Sequence, residues 1–228
     1  MVIGYRDMDQ TTFSQIFKID EDRLSGLNLF KKLLWEENRK INLFSRKLDI
    51  DDLDAHFIDS LFLMKFIDLN GKNVVDIGSG GGFPALPLAI CNPKTEFTLI
   101  ESSTKKSNFL FNVINKLNLR NVKIINDRAE NVSNMQNLKE HFDLSIMRAV
   151  AKVPTLLEYA RPFLKKCGLL GAYKSLNFQS ELDLSKSILK ELGFNFLRYY
   201  EYELPKNGSR CILVFEKDGG YSVTEVRS

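Results

Sequence analysis

Histidine and cysteine are scarce in this chain, with two of the first and three of the second among 228 residues. There is no Cys-x-x-Cys pair, and His56 and His141 lie far apart, so a tetrahedral metal site has too few candidate ligands and none is expected. Cys91, Cys167 and Cys211 are widely spaced, odd in number and close to apolar runs, which predicts reduced core thiols rather than bridges. No run approaches the roughly twenty apolar residues that a membrane span needs. Residues 1–10 lack the apolar centre of a signal peptide, so a cytoplasmic protein with no membrane partner is expected. A net charge of +3 permits nucleic-acid binding without arguing for it. The basic residues do cluster: Arg39-Lys40, Arg46-Lys47, Lys105-Lys106, Arg161 with Lys165-Lys166, and Arg198, Lys206 and Arg210. They form a phosphate-facing surface only if the fold gathers them.

The chain does have a concentrated glycine signal. Asn73-Val74-Val75-Asp76-Ile77 is a short β-branched run of the kind buried on both faces, and Gly78-Ser79-Gly80-Gly81-Gly82-Phe83-Pro84 follows at once. Such a loop turns sharply and lets backbone approach a ligand. Pro84 suits the first turn of a following helix, whose free N–H groups favour an anionic group.

Flanking residues separate the ligands that use such loops. A Walker loop ends in Gly-Lys-Ser/Thr, and this one ends Gly-Phe-Pro. A dinucleotide fingerprint fits only by forcing Gly80, Gly82 and Ala85, with Pro84 inside the spacing and Asp76 placing negative charge near a pyrophosphate. S-adenosylmethionine fits better: it has no phosphate, and its ammonium suits Asp76 while its carboxylate suits the helix-start amides. A second strand, Glu96 to Ile100, ends in Glu101, placed to accept from both ribose hydroxyls; a third, Val122 to Ile125, precedes Asn126-Asp127-Arg128-Ala129-Glu130, placed to reach the adenine. The blander alternatives are a tight turn for the loop, a solvated acid for Glu101 and a helix cap for Asp127.

Leu24, Leu27, Phe30, Leu33 and Leu34 recur at helical spacing, as does the stretch from Ile50 to Ile67, so residues 1–70 are expected to form a helical cap. From Val74, strands near 73–78, 96–101, 122–126, 142–147 and 168–174 alternate with amphipathic segments, which predicts an α/β, doubly wound, mostly parallel sheet. Residues 196–202 and 211–215 read as a C-terminal β-hairpin across 205–209. Seven strands with one antiparallel near the end describe the Rossmann-like class I methyltransferase version of this architecture. The methyltransferase domain is expected over 71–217, with a polar tail over 218–228.

The fourth strand leads into Arg148-Ala149-Val150-Ala151, with no cysteine for pyrimidine-carbon methylation and no Asn/Asp-Pro-Pro-aromatic turn for an exocyclic amine. An acceptor with a free lone pair remains, such as guanine N7, which requires positioning rather than a base. Arg148 would donate to the base oxygen or to a phosphate. His56, Asp59 and Ser60 share one helix face at i, i+3 and i+4.

These motifs together resemble the glucose-inhibited division protein B family, the RsmG methyltransferases that modify guanine N7 in small-subunit ribosomal RNA. The likeness covers residues 24–217 and rests on Trp35 with Asn38, Asn42-Leu43 and Ser45; on His56 to Ser60; on Asp76 to Pro84; on Ala129-Glu130; on Arg148-Ala149; and on Arg210. The resemblance implies that Asp76, Gly78, Gly80, Phe83, Glu101, Ala129, Glu130 and Arg148 contact S-adenosylmethionine. It implies catalytic positioning by Arg148, His56 and Asp59, and substrate contacts from Lys174 and Arg210. The implied partner is 16S ribosomal RNA within the small subunit, met by a monomer. Phe44 and Ser175 depart from the family pattern, which commonly has a small hydroxyl residue and a glycine there. The rivals are a non-catalytic RNA-binding assembly factor that retains the donor pocket and a nicotinamide oxidoreductase.

Overall fold

The structure, a computed structural model, describes residues 13, 16–45, 49, 52–204 and 208–219. Expectations for Arg46, Lys47, Ile50, Lys206, the 205–207 turn and the tail from 220 lie outside the described residues.

Numbered in chain order, helix α1 spans Glu21–Asn38, α2 Leu53–Leu61 and α3 Leu63–Phe66. Asp20 caps α1 by accepting from Arg23 N–H at 2.9 Å, and the apolar stripe read from the sequence is its buried face. At its other end the Asn38 side chain accepts from Leu43 N–H (2.8 Å) and Phe44 N–H (3.0 Å), turning the chain back. Phe44 then stacks on Trp35, so the departure from the family pattern is absorbed by aromatic packing.

Seven strands follow: β1 Asn73–Ile77, β2 Glu96–Ile100, β3 Val122–Ile125, β4 Phe142–Arg148, β5 Leu164–Ser175, β6 Phe194–Leu204 and β7 Gly208–Lys217. Their order is β3-β2-β1-β4-β5-β7-β6, parallel except that β7 runs antiparallel to both β5 and β6. The connecting helices are α4 Ala85–Cys91, α5 Thr104–Leu117, α6 Ala129–Val132, α7 Val153–Ala160, α8 Gln179–Leu184 and α9 Lys186–Leu192. Alternation along β1 decides the layers. Val74 packs into the core with Phe30, Phe57, Leu86 and Leu110, while Val75 and Ile77 face Leu157 and Phe163 on the other side.

Three expectations need correction. Pro84 stands at the N-cap of α4, one position before its first residue, with helical backbone angles and the Leu86 N–H to Gly82 O bond (2.8 Å) closing around it. Cys167 is exposed, unlike buried Cys91 and Cys211, because the chain takes a positive φ of 59° there beside a register shift between β4 and β5. Strand β5 begins at Leu164, four residues earlier than the apolar run suggested.

Candidate active site

The glycine loop is built around two strand ends. Gly78 N–H and Ser79 N–H both donate to Ile100 O, at 2.9 and 3.2 Å, which ties the loop to the end of β2. Gly78 and Gly82 have φ of +78° and +96°, and a Cβ on Gly82 would sit 2.6 Å from Leu86 Cδ1, so a side chain is excluded there on two counts. Glu101, 6 % exposed, closes the arrangement: Oε2 accepts from Gly80 N–H and Oε1 from Ser103 N–H, each at 2.8 Å. Each oxygen keeps a free lone pair, so the carboxylate holds the loop and can still accept from a diol.

A crevice of ≈ 270 Å³ opens beside this loop, lined by Gly78, Ser102, Asp127, Ala129, Glu130 and Val150 among others. Asn126 is occupied inside the scaffold, donating to Glu101 O at 2.8 Å. Asp127 accepts from Arg128 N–H and Asn131 Nδ2, both at 2.7 Å, which ties it to the start of α6 while it lines the crevice. Glu130 accepts from Tyr159 Oη at 3.3 Å. Asp76 lies deeper, 1 % exposed, with neither carboxylate oxygen holding a hydrogen bond. Burial pushes its pKa up to about 8 against weaker opposing pulls from Ser79, Arg148 and Ala85. An orphaned buried carboxylate is compensated best by a cationic ligand group, and this fits the ammonium of an amino-acid moiety. Asp76 does not line this crevice, whereas its chain neighbours Ile77 and Gly78 do.

A second cleft of ≈ 390 Å³ is lined by residues that include His56, Asp59, Arg148, Lys174, Glu181 and Arg210, together with Ala149, the residue before Val150. The structure thus brings together five positions singled out in the sequence, His56, Asp59, Arg148, Lys174 and Arg210, from four distant stretches. Arg148 organises them. Its Nη1 donates to Asp59 Oδ2 at 2.8 Å and to His56 O at 3.2 Å, and its guanidinium lies 4.8 Å from the Phe83 ring centre. Asp59 Oδ1 accepts from Tyr202 Oη at 2.5 Å, so both its oxygens are satisfied. Burial first, and the Arg148 charge second, lower the His56 pKa to about 4, so the imidazole is neutral at pH 7. Phe83 packs against Phe30, Phe57 and His56, which roots the end of the loop in the helical layer.

Ser60, grouped with His56 and Asp59 by spacing, does not join them: it is fully buried and its hydroxyl donates to His56 O at 2.7 Å within the helix. Lys174 lines the cleft but is already engaged, at 2.8 Å to Ala151 O and 2.7 Å to Glu181 Oε2. Arg210 is less committed, with one 3.2 Å bond to Ser209 O. Sequence reasoning missed Tyr159, Glu181 and Tyr202, which belong to no compact motif; Val150 entered only as part of the run Arg148-Ala149-Val150-Ala151. The basic clusters divide. Arg210 and Lys105-Lys106 sit at the carboxyl edge of the sheet near the two cavities, whereas Lys165, Lys166 and Arg161 flank the start of β5 at the opposite edge. Lys165 pairs there with Asp143 at 2.7 Å.

Residues 23–203 match the sequence profile of the GidB family, described as rRNA small subunit methyltransferase G. The chain belongs to that family. A family relative, the ribosomal RNA small subunit methyltransferase G of Syntrophomonas wolfei, is 41% identical over 193 residues, covering 85% of this chain and 90% of the relative. The protein of the same name from Carboxydothermus hydrogenoformans is 36% identical, covering 91% of this chain and 89% of its own. Among solved structures, M. jannaschii TYW2 in complex with AdoMet superposes with a TM-score of 0.57 at 22% identity over 78% of each chain, which supports the shared fold. No helix among the described residues is long and apolar enough to cross a membrane.

Proposed function

We propose that this protein uses S-adenosylmethionine to methylate N7 of one guanine in 16S ribosomal RNA of the small ribosomal subunit, acting as a monomer in the cytoplasm. The observation that carries the reading is adjacency along the chain: Arg148 and Ala149 line the cleft beside His56, and the next residue, Val150, lines the crevice beside Gly78. Family membership supplies the RNA class. When bound, the donor supplies a methyl group on a sulfonium, which passes to the acceptor nitrogen while the electrons of the broken carbon–sulfur bond stay on sulfur.

Asp76 receives the ammonium, Glu101 accepts from the ribose hydroxyls, and Ala129 and Glu130 lie along the adenine side. Gly78 leaves room for this approach, since a Cβ there would stand 3.1 Å from Val150 Cγ2. Arg148 presents N–H donors to the acceptor base or its phosphate. Asp59 cancels its charge, which matters because an N7-methylated guanine is itself cationic. The product loses no proton, so no general base is required and positioning supplies the acceleration. A neutral His56 offers a polar ring edge without adding repulsion, and Arg210 is placed for a backbone phosphate.

Labelled donor and small subunits lacking the modification provide the test. Label is expected in 16S ribosomal RNA as 7-methylguanosine at a single nucleotide; label confined to protein or small molecules rejects the RNA assignment. Subunit binding without turnover would instead favour the non-catalytic assembly factor. Glu101→Ala is expected to weaken donor binding by roughly 10- to 100-fold in calorimetry, the scale of losing charge-assisted hydrogen bonds and the loop's anchor together. Unchanged affinity removes its assigned role.

A further inference from the structure

Glu181 has no part in either cavity's chemistry as described above, yet three elements converge on it. Lys174, at the end of β5, donates to Glu181 Oε2 at 2.7 Å and to Ala151 O at 2.8 Å. The same carboxylate oxygen accepts Val153 N–H at 3.1 Å. Val153 opens α7, whose first amides have no partner within the helix, so a carboxylate brought in from α8 satisfies one of them at the positive end of the helix. The pair is sheltered, with Lys174 and Glu181 side chains 14% and 26% exposed.

Between Arg148 and these two anchored points runs the wall shared by both cavities. Ala149 lines the acceptor cleft and Val150 the donor crevice. Ala149 has a φ of +57°, a conformation that a residue with a Cβ keeps only when its surroundings impose it. Val150 in turn packs over Gly78. The imposed turn needs a fixed far end, and Lys174 with Glu181 provides one at Ala151 O and Val153 N–H.

We propose that Glu181 is a positioning residue: together with Lys174 it latches the 149–153 segment and so sets the shape of both cavities at once. On this assignment Lys174 serves the wall rather than the acceptor. The inference relies on the proposed function only for which ligand fills each cavity.

Glu181→Ala, Lys174→Met and the double variant test it, with Glu181→Gln as a milder change should Glu181→Ala fold poorly. Amide hydrogen exchange at Val153, the amide that Glu181 holds, is expected to speed up roughly tenfold or more in each variant of the empty protein, because Lys174 and Glu181 fix that carboxylate together. Donor affinity by calorimetry and kcat/KM on unmodified subunits are each expected to fall roughly tenfold. The double variant should be no worse than the worse single, as for residues acting as one unit. Three results overturn the latch: unchanged exchange, deficits that multiply in the double variant, or a Lys174→Met defect confined to KM for the subunit while Glu181→Ala is normal. If the wild-type protein neither binds the donor nor methylates, the functional reading falls, and the exchange data still judge the latch.

Discussion

Asp76→Asn is expected to lose donor binding by roughly 100-fold or more, while making the empty protein more stable at alkaline pH. Both effects come from one buried carboxylate with no hydrogen-bond partner of its own. Burial raises its pKa from 3.8 to about 8, so between those values the folded protein keeps a proton that the unfolded chain has released. This contribution to stability is fully present below pH 3.8 and is lost as pH rises through about 8. At about 1.4 kcal/mol per pH unit, the loss by pH 7 is on the order of 4 kcal/mol. An asparagine does not titrate, so the variant's stability should vary less with pH and its melting temperature at pH 8–9 should exceed that of wild type. A donor ammonium requires the ionised carboxylate. Binding at pH 7 should therefore release close to one proton, measured by calorimetry in buffers of different ionisation enthalpy. Affinity should rise up to about tenfold per unit from pH 6 to 8 and then level off. Proton release that is absent in wild type, or retained in the variant, removes Asp76 from this role.

Arg148→Met should abolish methylation and destabilise the fold by about 3–5 kcal/mol, the usual consequence of leaving a buried charge without its partner. The charge left behind is Asp59, 7% exposed and then held only by Tyr202. Adding Asp59→Asn to Arg148→Met should restore much of the stability in denaturant titrations and none of the activity. That split separates the arginine's structural pairing from its place on the acceptor cleft. His56 provides a second readout. Arg148 is one of the groups lowering its pKa from 6.5 to about 4, so its titration, followed by NMR, should move upward in the single variant. Activity recovered in the double variant would show that Arg148 serves only to neutralise Asp59.

Much of this site was legible in the chain because its parts are local. A β-branched run ending in Asp76, a dense set of glycines and an acid about twenty residues on are consequences of short-range backbone demands, and they sit where the reading placed them. Strand order placed Ala129 and Glu130 on the carboxyl edge, and the resemblance carried Arg210, whose local sequence says little. What failed did so for identifiable reasons. Helical spacing put Ser60 with His56 and Asp59, but a serine hydroxyl in a helix can bond back to the carbonyl four residues earlier, and this one does. Lys174, expected to contact the substrate, lines the cleft, but its bonds to Ala151 O and Glu181 were not legible because those acceptors arrive from elsewhere in the chain.

Strand periodicity and glycine spacing determined by themselves the doubly wound sheet and the bend after β1, and with the strand-end acids they carry the ligand proposed for its carboxyl edge, since each depends on neighbours a few residues away. Only the tertiary structure decided that Arg148 is shared among Asp59, the His56 carbonyl and the Phe83 ring, that Tyr202 completes Asp59, and that Glu181 reaches the start of α7. Those contacts join residues as far as 143 positions apart, and their strength depends on burial that no local pattern encodes.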